Sequence, residues 1–157
     1  MFSKADEINR ILRESSIKDE YRPAHVCAFI LALWESKGSI RRDPKHILKD
    51  INSECENAFK RAGKANLSLS IRVSEDNKAL SEKANQICRI LETLNVTLIG
   101  AAHDYIGSLY EHFFRYSGGN TIGQYFTPRH ITEFMAKFVE VSADDIVIDV
   151  SCGTGGF

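Results

Sequence analysis

The sequence contains no pair of cysteines close enough together to indicate a cysteine-based site. Its four cysteines, Cys27, Cys55, Cys88 and Cys152, are widely spaced and form no Cys-x-x-Cys pair. This spacing argues against a zinc knuckle and against a disulfide framework. The five histidines show no His-Glu-x-x-His spacing either, so the sequence predicts no metal site.

The chain also lacks a large net charge and a long hydrophobic run. Twenty Lys and Arg residues stand against twenty-one Asp and Glu, so the net charge is -1 and no global basic field indicates a nucleic-acid or membrane partner. The longest apolar run, Val26 to Trp34, is far shorter than the ~20 residues that a membrane-spanning helix needs. Residues 1–22 have no signal-peptide core. These absences predict a soluble protein of the cytoplasm.

The charges are nevertheless unevenly distributed along the chain. Residues 41–72 carry eight basic and four acidic side chains, whereas residues 73–157 carry six and eleven. The basic side chains could contact DNA phosphates, or they could lie on a solvated helix surface, which is the commoner arrangement. The sequence leaves both interpretations open. The eight basic residues are Arg41, Arg42, Lys45, Lys49, Lys60, Arg61, Lys64 and Arg72.

Apolar residues recur at helical spacing through the first hundred residues, which predicts a helical bundle. The segment from Val26 to Trp34 is apolar on nearly every side and is therefore expected to be buried. Asp43-Pro44 is a good helix start, and Gly63 to Ser74 is predicted to be a connector. The predicted helices are Ser3 to Glu14, Ala24 to Ser36, Asp43-Pro44 to about Ala62, and one with a seam at Leu80, Ala84, Ile87, Leu91 and Leu94.

Aromatic side chains are concentrated between His103 and Tyr116. Those from Tyr105 to Phe114 fall within about half of a helix circumference, which favours a core face over the alternative of stacking on bases. Ser117-Gly118-Gly119-Asn120 then forms a flexible turn. A domain boundary is expected there, near residue 120.

Beyond the boundary the pattern becomes that of an α/β protein. Thr127-Pro128 is predicted to cap and start a helix, and Asp145 to Val150 is a β-branched run typical of a strand. Ser151 to Phe157 is a glycine-rich loop. Helix, strand and glycine loop in this order open a nucleotide-binding α/β sheet. The loop lacks the Gly-Lys-Ser/Thr ending of a P-loop, but it leaves a dehydrogenase-like dinucleotide domain open.

Two motifs in a fixed order are more specific than the loop alone. Gly123-Gln124-Tyr125-Phe126-Thr127-Pro128-Arg129 is followed by Asp149-Val150-Ser151-Cys152-Gly153-Thr154-Gly155-Gly156-Phe157. With these motifs the chain resembles the modification subunits of type I restriction-modification systems, often called HsdM, and related adenine-specific DNA methyltransferases. The segment from Asp104 to Glu111 is similar to the helix that precedes the first motif in those proteins. The resemblance covers about residues 104–157.

The resemblance implies a site for S-adenosyl-L-methionine. The first motif is expected to form part of the cofactor pocket, and the glycine loop is expected to wrap the methionine end. The carboxylate of Asp149 could accept hydrogen bonds from the cofactor's ammonium group. The family usually has proline after this acid, where this chain has Val150. The expected cofactor-binding residues are Gln124, Tyr125, Phe126, Thr127, Pro128, Arg129, Asp149, Gly153, Thr154, Gly155 and Gly156.

The same resemblance implies transfer of a methyl group to the exocyclic amine of a flipped adenine in duplex DNA. The family holds this amine with an Asn/Asp-Pro-Pro-Tyr/Phe motif, which these residues do not contain. The chain is therefore expected to be an N-terminal fragment without a catalytic residue. Alone, it is expected to be inactive and to bind the cofactor weakly or not at all. The implied partners are specificity and restriction subunits.

The expected fold class is mainly α. A helical N-terminal domain, residues 1–120, would precede the truncated start of a Rossmann-like methyltransferase domain, residues 121–157. The rival interpretation is a non-catalytic helical module that docks DNA or other subunits.

Overall fold

The computed structural model describes residues 2–94, residue 112 and residues 127–152. The chain divides into two compact units, Met1–Gly119 and Asn120–Phe157. The described residues are mainly helical, as the sequence predicted. Their α-helices are α1 (Phe2–Glu14), α2 (Arg22–Glu35), α3 (Ile47–Arg61), α4 (Lys78–Thr93) and α5 (Arg129–Val139), and short 3₁₀ helices span Asp19–Tyr21 and Ala65–Ile71.

The core of the first unit lies where the apolar faces of α1 to α4 meet. Helix α2 packs against both α3 and α4, and α1 packs against α4. The predicted seam of α4 is confirmed at Leu80, Ala84, Ile87 and Leu91, which are completely buried, while Leu94, at the C-cap of the helix, is partly buried. The other large, fully buried side chains are Ile8, Ile11, Leu12, Phe29, Ile47, Ile51 and Val73.

Helix α2 is buried along most of its length, with one exception at its end. The prediction of a buried Trp34 was wrong, because 44% of this residue is exposed. Cys27 and Leu31, which lie seven and three residues earlier on the same stripe, are only half-buried. This side of α2 is therefore less completely covered than the rest of the helix, and the one tryptophan of the chain lies at its most exposed point.

Helix α3 begins later than the sequence predicted. Asp43 to His46 form a turn, in which the Ile47 amide donates to the Asp43 carbonyl over 3.0 Å. The φ angle of His46 is -117°, which departs from helical geometry and delays the regular helix until Ile47. The carboxylate of Asp43 contacts His46 Nδ1 at 2.7 Å instead of capping the helix.

Helices α1 and α4 run antiparallel, and polar side chains bridge them along their length. Lys4 Nζ donates to Thr93 Oγ1 over 2.8 Å, close to the start of α1 and the end of α4. Lys83 Nζ donates to Glu14 Oε2 over 2.7 Å at the opposite end. The first helix of the chain is therefore held in place by the fourth.

The predicted strand from Asp145 to Val150 does not appear as a strand. This segment follows α5 and a turn at Ser142–Asp145, and no strand is assigned within the described residues of either unit. A strand exists only through hydrogen bonds to a neighbouring strand, and this segment has none within the described residues. The α/β prediction for the second unit is thus not confirmed.

Some predictions fall outside the described residues. These are the aromatic face between Tyr105 and Phe114, the motif residues Gln124, Tyr125 and Phe126, and the loop residues Gly153 to Gly156. Within the described residues, no helix combines the length and apolar character needed to cross a membrane.

Candidate functional site

The described part of the predicted cofactor site consists of two short stretches on either side of α5. Thr127 and Pro128 are exposed and lie directly before this helix, which begins at Arg129. Asp149 lies beyond it and is also exposed. Helix α5 therefore separates the first motif from the glycine-rich motif.

The start of α5 differs in detail from the predicted cap. Pro128 takes the N-cap position in an extended conformation (φ -56°, ψ 136°), and no side chain caps the helix. The carbonyl of Pro128 accepts hydrogen bonds from the amides of Ile131 (2.8 Å) and Thr132 (3.2 Å). Thr127 therefore precedes the cap. The amides of a helix's first turn have no acceptor within the helix, and the helix dipole makes this end favourable for an anionic group.

Two carboxylates shape the segment after α5. Asp145 accepts hydrogen bonds from the backbone amide of Ser142 (2.7 Å) and from its hydroxyl (2.8 Å), and these bonds lower the pKa of Asp145. Asp149 Oδ1 accepts a hydrogen bond from the Ser151 amide over 2.9 Å, which bends the chain after the extended segment. A carboxylate has about four acceptor positions, so Asp149 retains the capacity to bind an ammonium donor.

The second unit exposes a large amount of apolar surface. On α5 the exposed side chains include Phe134 and Phe138, whose rings stack with centroids 6.0 Å apart. In the segment after the helix, Ile146 is 92% exposed and Val150 is 94% exposed. Their apolar neighbours Ile131, Met135, Val139, Val147 and Ile148 are exposed as well.

The basic segment of residues 41–72 is largely neutralised by acids of the same unit. Arg41 pairs with Asp50 at 2.6 Å, and Arg42 pairs with Glu92 at 2.5 Å. The remaining arginines and one lysine are paired too. These pairs are Arg61 with Glu35, Arg72 with Glu75, and Lys60 with Glu56. This pairing favours the solvated-surface interpretation over a phosphate-binding face.

Sequence reasoning missed a cleft of about 460 Å³ in the first unit. It lies at the ends of α2, α3 and α4, and its lining includes the exposed Trp34 and the acids Glu35 and Glu92. The signal in the sequence was a tryptophan beside an acid at a helix end, which by itself is too common to indicate a site. Within the described residues, no three His, Cys, Asp or Glu side chains are arranged to hold a metal ion.

Comparison with known proteins gives matches to the C-terminal third of the chain, which contains both motifs. The model of a family described as N-6 DNA Methylase matches residues 101–157. The type II restriction enzyme and methyltransferase RM.BcgI of Heyndrickxia coagulans is 45% identical over 56 residues, which are 34% of this chain and 9% of that protein. The type I restriction enzyme EcoEI methylase subunit of Escherichia coli is 40% identical over 53 residues, 32% of this chain and 11% of that protein.

The matched segment is thus about a tenth of each relative's length. No solved structure matches the chain. The family match includes both motifs, Gln124 to Arg129 and Asp149 to Gly156, and the relatives are methylases of restriction systems. Residues 101–157 are therefore similar to the N-6 DNA methylase family and to the methylases of type I and type II restriction enzymes.

Proposed function

We propose that this chain is the N-terminal part of a site-specific adenine DNA methyltransferase, the methylation subunit of a type I restriction-modification system. It would transfer a methyl group from S-adenosyl-L-methionine to the exocyclic amine of adenine in DNA. The observation that carries this proposal is the family match over residues 101–157, with its two motifs on either side of α5.

The proposed cofactor site joins these two motifs. Residues Gln124 to Arg129 lead into the N-terminal end of α5, where first-turn amides favour an anionic group such as the cofactor's carboxylate. Asp149 would accept hydrogen bonds from the cofactor's ammonium group, and its remaining acceptor capacity supports this role. The glycine loop, Gly153 to Gly156, would admit the methionine end closely, because glycine has no Cβ to obstruct it.

We also propose that residues 121–157 begin a Rossmann-like domain and that residues 1–120 form a separate helical domain. The exposed apolar faces of α5 and of the segment from Asp145 to Val150 support this proposal. A helix and a strand of an α/β domain bury such faces against one another and against further strands. The division of the chain after Gly119 also supports it.

The proposed partners are duplex DNA and the specificity and restriction subunits of a type I system. The names of the relatives, which are methylases of type I and type II restriction enzymes, support partners of this kind. Because the proposed substrate is DNA, we propose that the protein acts in the cytoplasm of a bacterial cell.

The test is incorporation of labelled methyl groups into duplex DNA. We expect none from these 157 residues alone, because they contain no Asn/Asp-Pro-Pro-Tyr/Phe motif to position adenine. We expect incorporation by the full-length protein together with a specificity subunit. Methylation by the 157 residues themselves would contradict the first expectation, and absence of transfer by the full complex would contradict the function.

The role of Asp149 is tested separately in the full-length protein. Asp149→Asn should weaken S-adenosyl-L-methionine binding by roughly ten- to hundredfold, since a charge-assisted hydrogen bond contributes about 1.5–3 kcal/mol. The matched control is Asp144→Asn, which changes the same charge at an exposed position five residues earlier. Equal cofactor affinity of the two variants would remove Asp149 from the site.

A further inference from the structure

The cleft of about 460 Å³ in the first unit lies where three helices end. Glu35 is the last residue of α2, Arg61 is the last residue of α3, and Glu92 is the penultimate residue of α4. The C-terminal end of a helix carries a partial negative charge of roughly half an elementary charge. Three such ends around one cleft make it favourable for a cation. Among the described residues, Leu33, Trp34, Lys37 and Gly38 also line the cleft.

Glu35 is the unusual group in this cleft. Its side chain is only 7% exposed, although it is an acid at the unfavourable end of its own helix. One carboxylate oxygen, Oε1, pairs with Arg61. The other, Oε2, is buried and has no hydrogen-bond partner among the described residues. A buried acceptor without a donor costs folding free energy, and a donor brought by a ligand would offset that cost.

Trp34 supplies the second element of a cation site. This residue is 44% exposed, lines the same cleft and comes directly before Glu35 in the chain. The face of an indole attracts guanidinium and ammonium groups through its quadrupole. Because Trp34 and Glu35 both line the cleft, an aromatic side chain and a carboxylate are available there to a flat or compact cation.

The charged side chains that line the cleft are balanced, because Lys37 and Arg61 stand against Glu35 and Glu92, so the preference for a cation depends on which of these groups lacks a partner. Arg61 is engaged with Glu35, and its side chain is 70% exposed to solvent, which screens its charge. Arg42 has one buried nitrogen, Nη1, without a hydrogen-bond partner, but Arg42 pairs with Glu92 and is not among the described lining residues. The group of the cleft that needs a partner is thus an acceptor.

We propose that this cleft binds a guanidinium or ammonium group, with Glu35 Oε2 accepting its hydrogen bond and the Trp34 indole packing against it. The group would belong either to an arginine or lysine side chain of a partner protein or to a free small cation. This inference does not depend on the methyltransferase proposal, because the cleft lies in the helical unit.

The single tryptophan of the chain makes the site directly observable. The 157-residue chain is titrated with N-acetyl-arginine amide while Trp34 fluorescence is recorded. N-acetyl-citrulline amide, which has nearly the same shape and no charge, is the matched ligand control. We expect a saturable change with the arginine compound and at least about tenfold weaker binding of the citrulline compound. Equal binding of the two, or tighter binding of N-acetyl-aspartate amide, would overturn the proposal.

A pair of variants tests the acceptor. Glu35→Gln should weaken binding of the arginine compound by about tenfold, whereas Glu56→Gln, at an exposed acid of α3, should leave it unchanged. Trp34→Leu, followed by calorimetry, is a second test that leaves the Glu35–Arg61 pair in place, and it should weaken binding by roughly three- to tenfold. Unchanged affinity in Trp34→Leu, or in a folded Glu35→Gln chain, would refute the site.

The source of the cation is decided by comparing two further ligands. A Gly-Ser heptapeptide with one central arginine represents a partner protein, and spermidine represents a free small cation. Tighter binding of the peptide would identify a partner's side chain, and tighter binding of spermidine would identify a free cation. Failure of both to compete with the arginine compound would overturn the proposal.

Discussion

Replacing Asn52 with alanine should destabilise the first unit far more than an ordinary helix substitution. Asn52 lies on α3 and is 9% exposed, and its side-chain amide holds the backbone of Val73. Its Nδ2 donates to the Val73 carbonyl (2.8 Å) and to Glu75 Oε1 (3.0 Å), and its Oδ1 accepts from the Val73 amide (2.9 Å). One side chain thus pairs both backbone groups of a residue that is 1% exposed.

The magnitude follows from the groups that lose their partners. Asn52→Ala leaves the amide and the carbonyl of Val73 buried and unpaired, each at a cost of about 1–3 kcal/mol. Alanine is a better helix former than asparagine by roughly 0.5–0.7 kcal/mol, which offsets a small part of this cost. The expected net loss of unfolding free energy is about 2–4 kcal/mol.

Urea unfolding followed by Trp34 fluorescence measures this loss in the first unit, because the one tryptophan lies there. With a slope of about 2 kcal/mol per molar urea, the midpoint should fall by roughly 1–2 M. Asn57→Ala is the matched control, since Asn57 is exposed on the same helix and undergoes the same change in helix propensity. Equal midpoints for the two variants would refute the reasoning.

Three further predictions concern other parts of the first unit and the segment after α5. Ser16 has a left-handed φ of 60° directly after α1, so Ser16→Gly should raise the free energy of unfolding by about 1 kcal/mol. A urea midpoint lower than that of the unchanged chain would contradict this prediction. Burial raises the pKa of Cys55 to about 12, so iodoacetamide near pH 8 should label the exposed Cys152 before Cys55. Peptide mass spectrometry measures the two labelling rates, and equal rates in the native chain would contradict this prediction. Arg41 lowers the pKa of Asp50 below its ordinary value of 3.8, so the pair stabilises the fold above that pH and this contribution is lost as the pH falls through the lowered pKa. Asp50→Asn should therefore flatten the acid side of the stability profile below about pH 5, and an unchanged slope would contradict the assignment.

The helices of the first unit could be predicted because their signal is local. Leu80, Ala84 and Ile87 mark one face of α4 by spacing alone, and all three are fully buried. The function of Asn52 could not be predicted in this way. Its partner Val73 lies 21 residues further along the chain, and a polar residue on a buried face looks in the sequence like an interruption of the pattern.

The candidate site shows the same difference between local and distant signals. The motif from Gln124 to Arg129 identified the family because its residues are contiguous, and the family match includes them. The β-branched run from Asp145 to Val150 predicted a strand, but a strand also depends on neighbours that composition does not specify. The cleft beside Trp34 depends on three helix ends brought together by packing, so periodicity predicted burial where the structure has a partly exposed indole.

The antiparallel pairing of α1 with α4 has a consequence for synthesis of the chain on the ribosome. Helix α1 emerges before α4, the helix against which it packs, and its apolar side chains include the fully buried Ile8 and Leu12. At about 5–20 residues per second, the interval between the two helices lasts roughly 4–16 s. During that time the apolar residues of α1 lack the contacts that α4 supplies, and a segment of 13 residues is too short to form a stable helix without them.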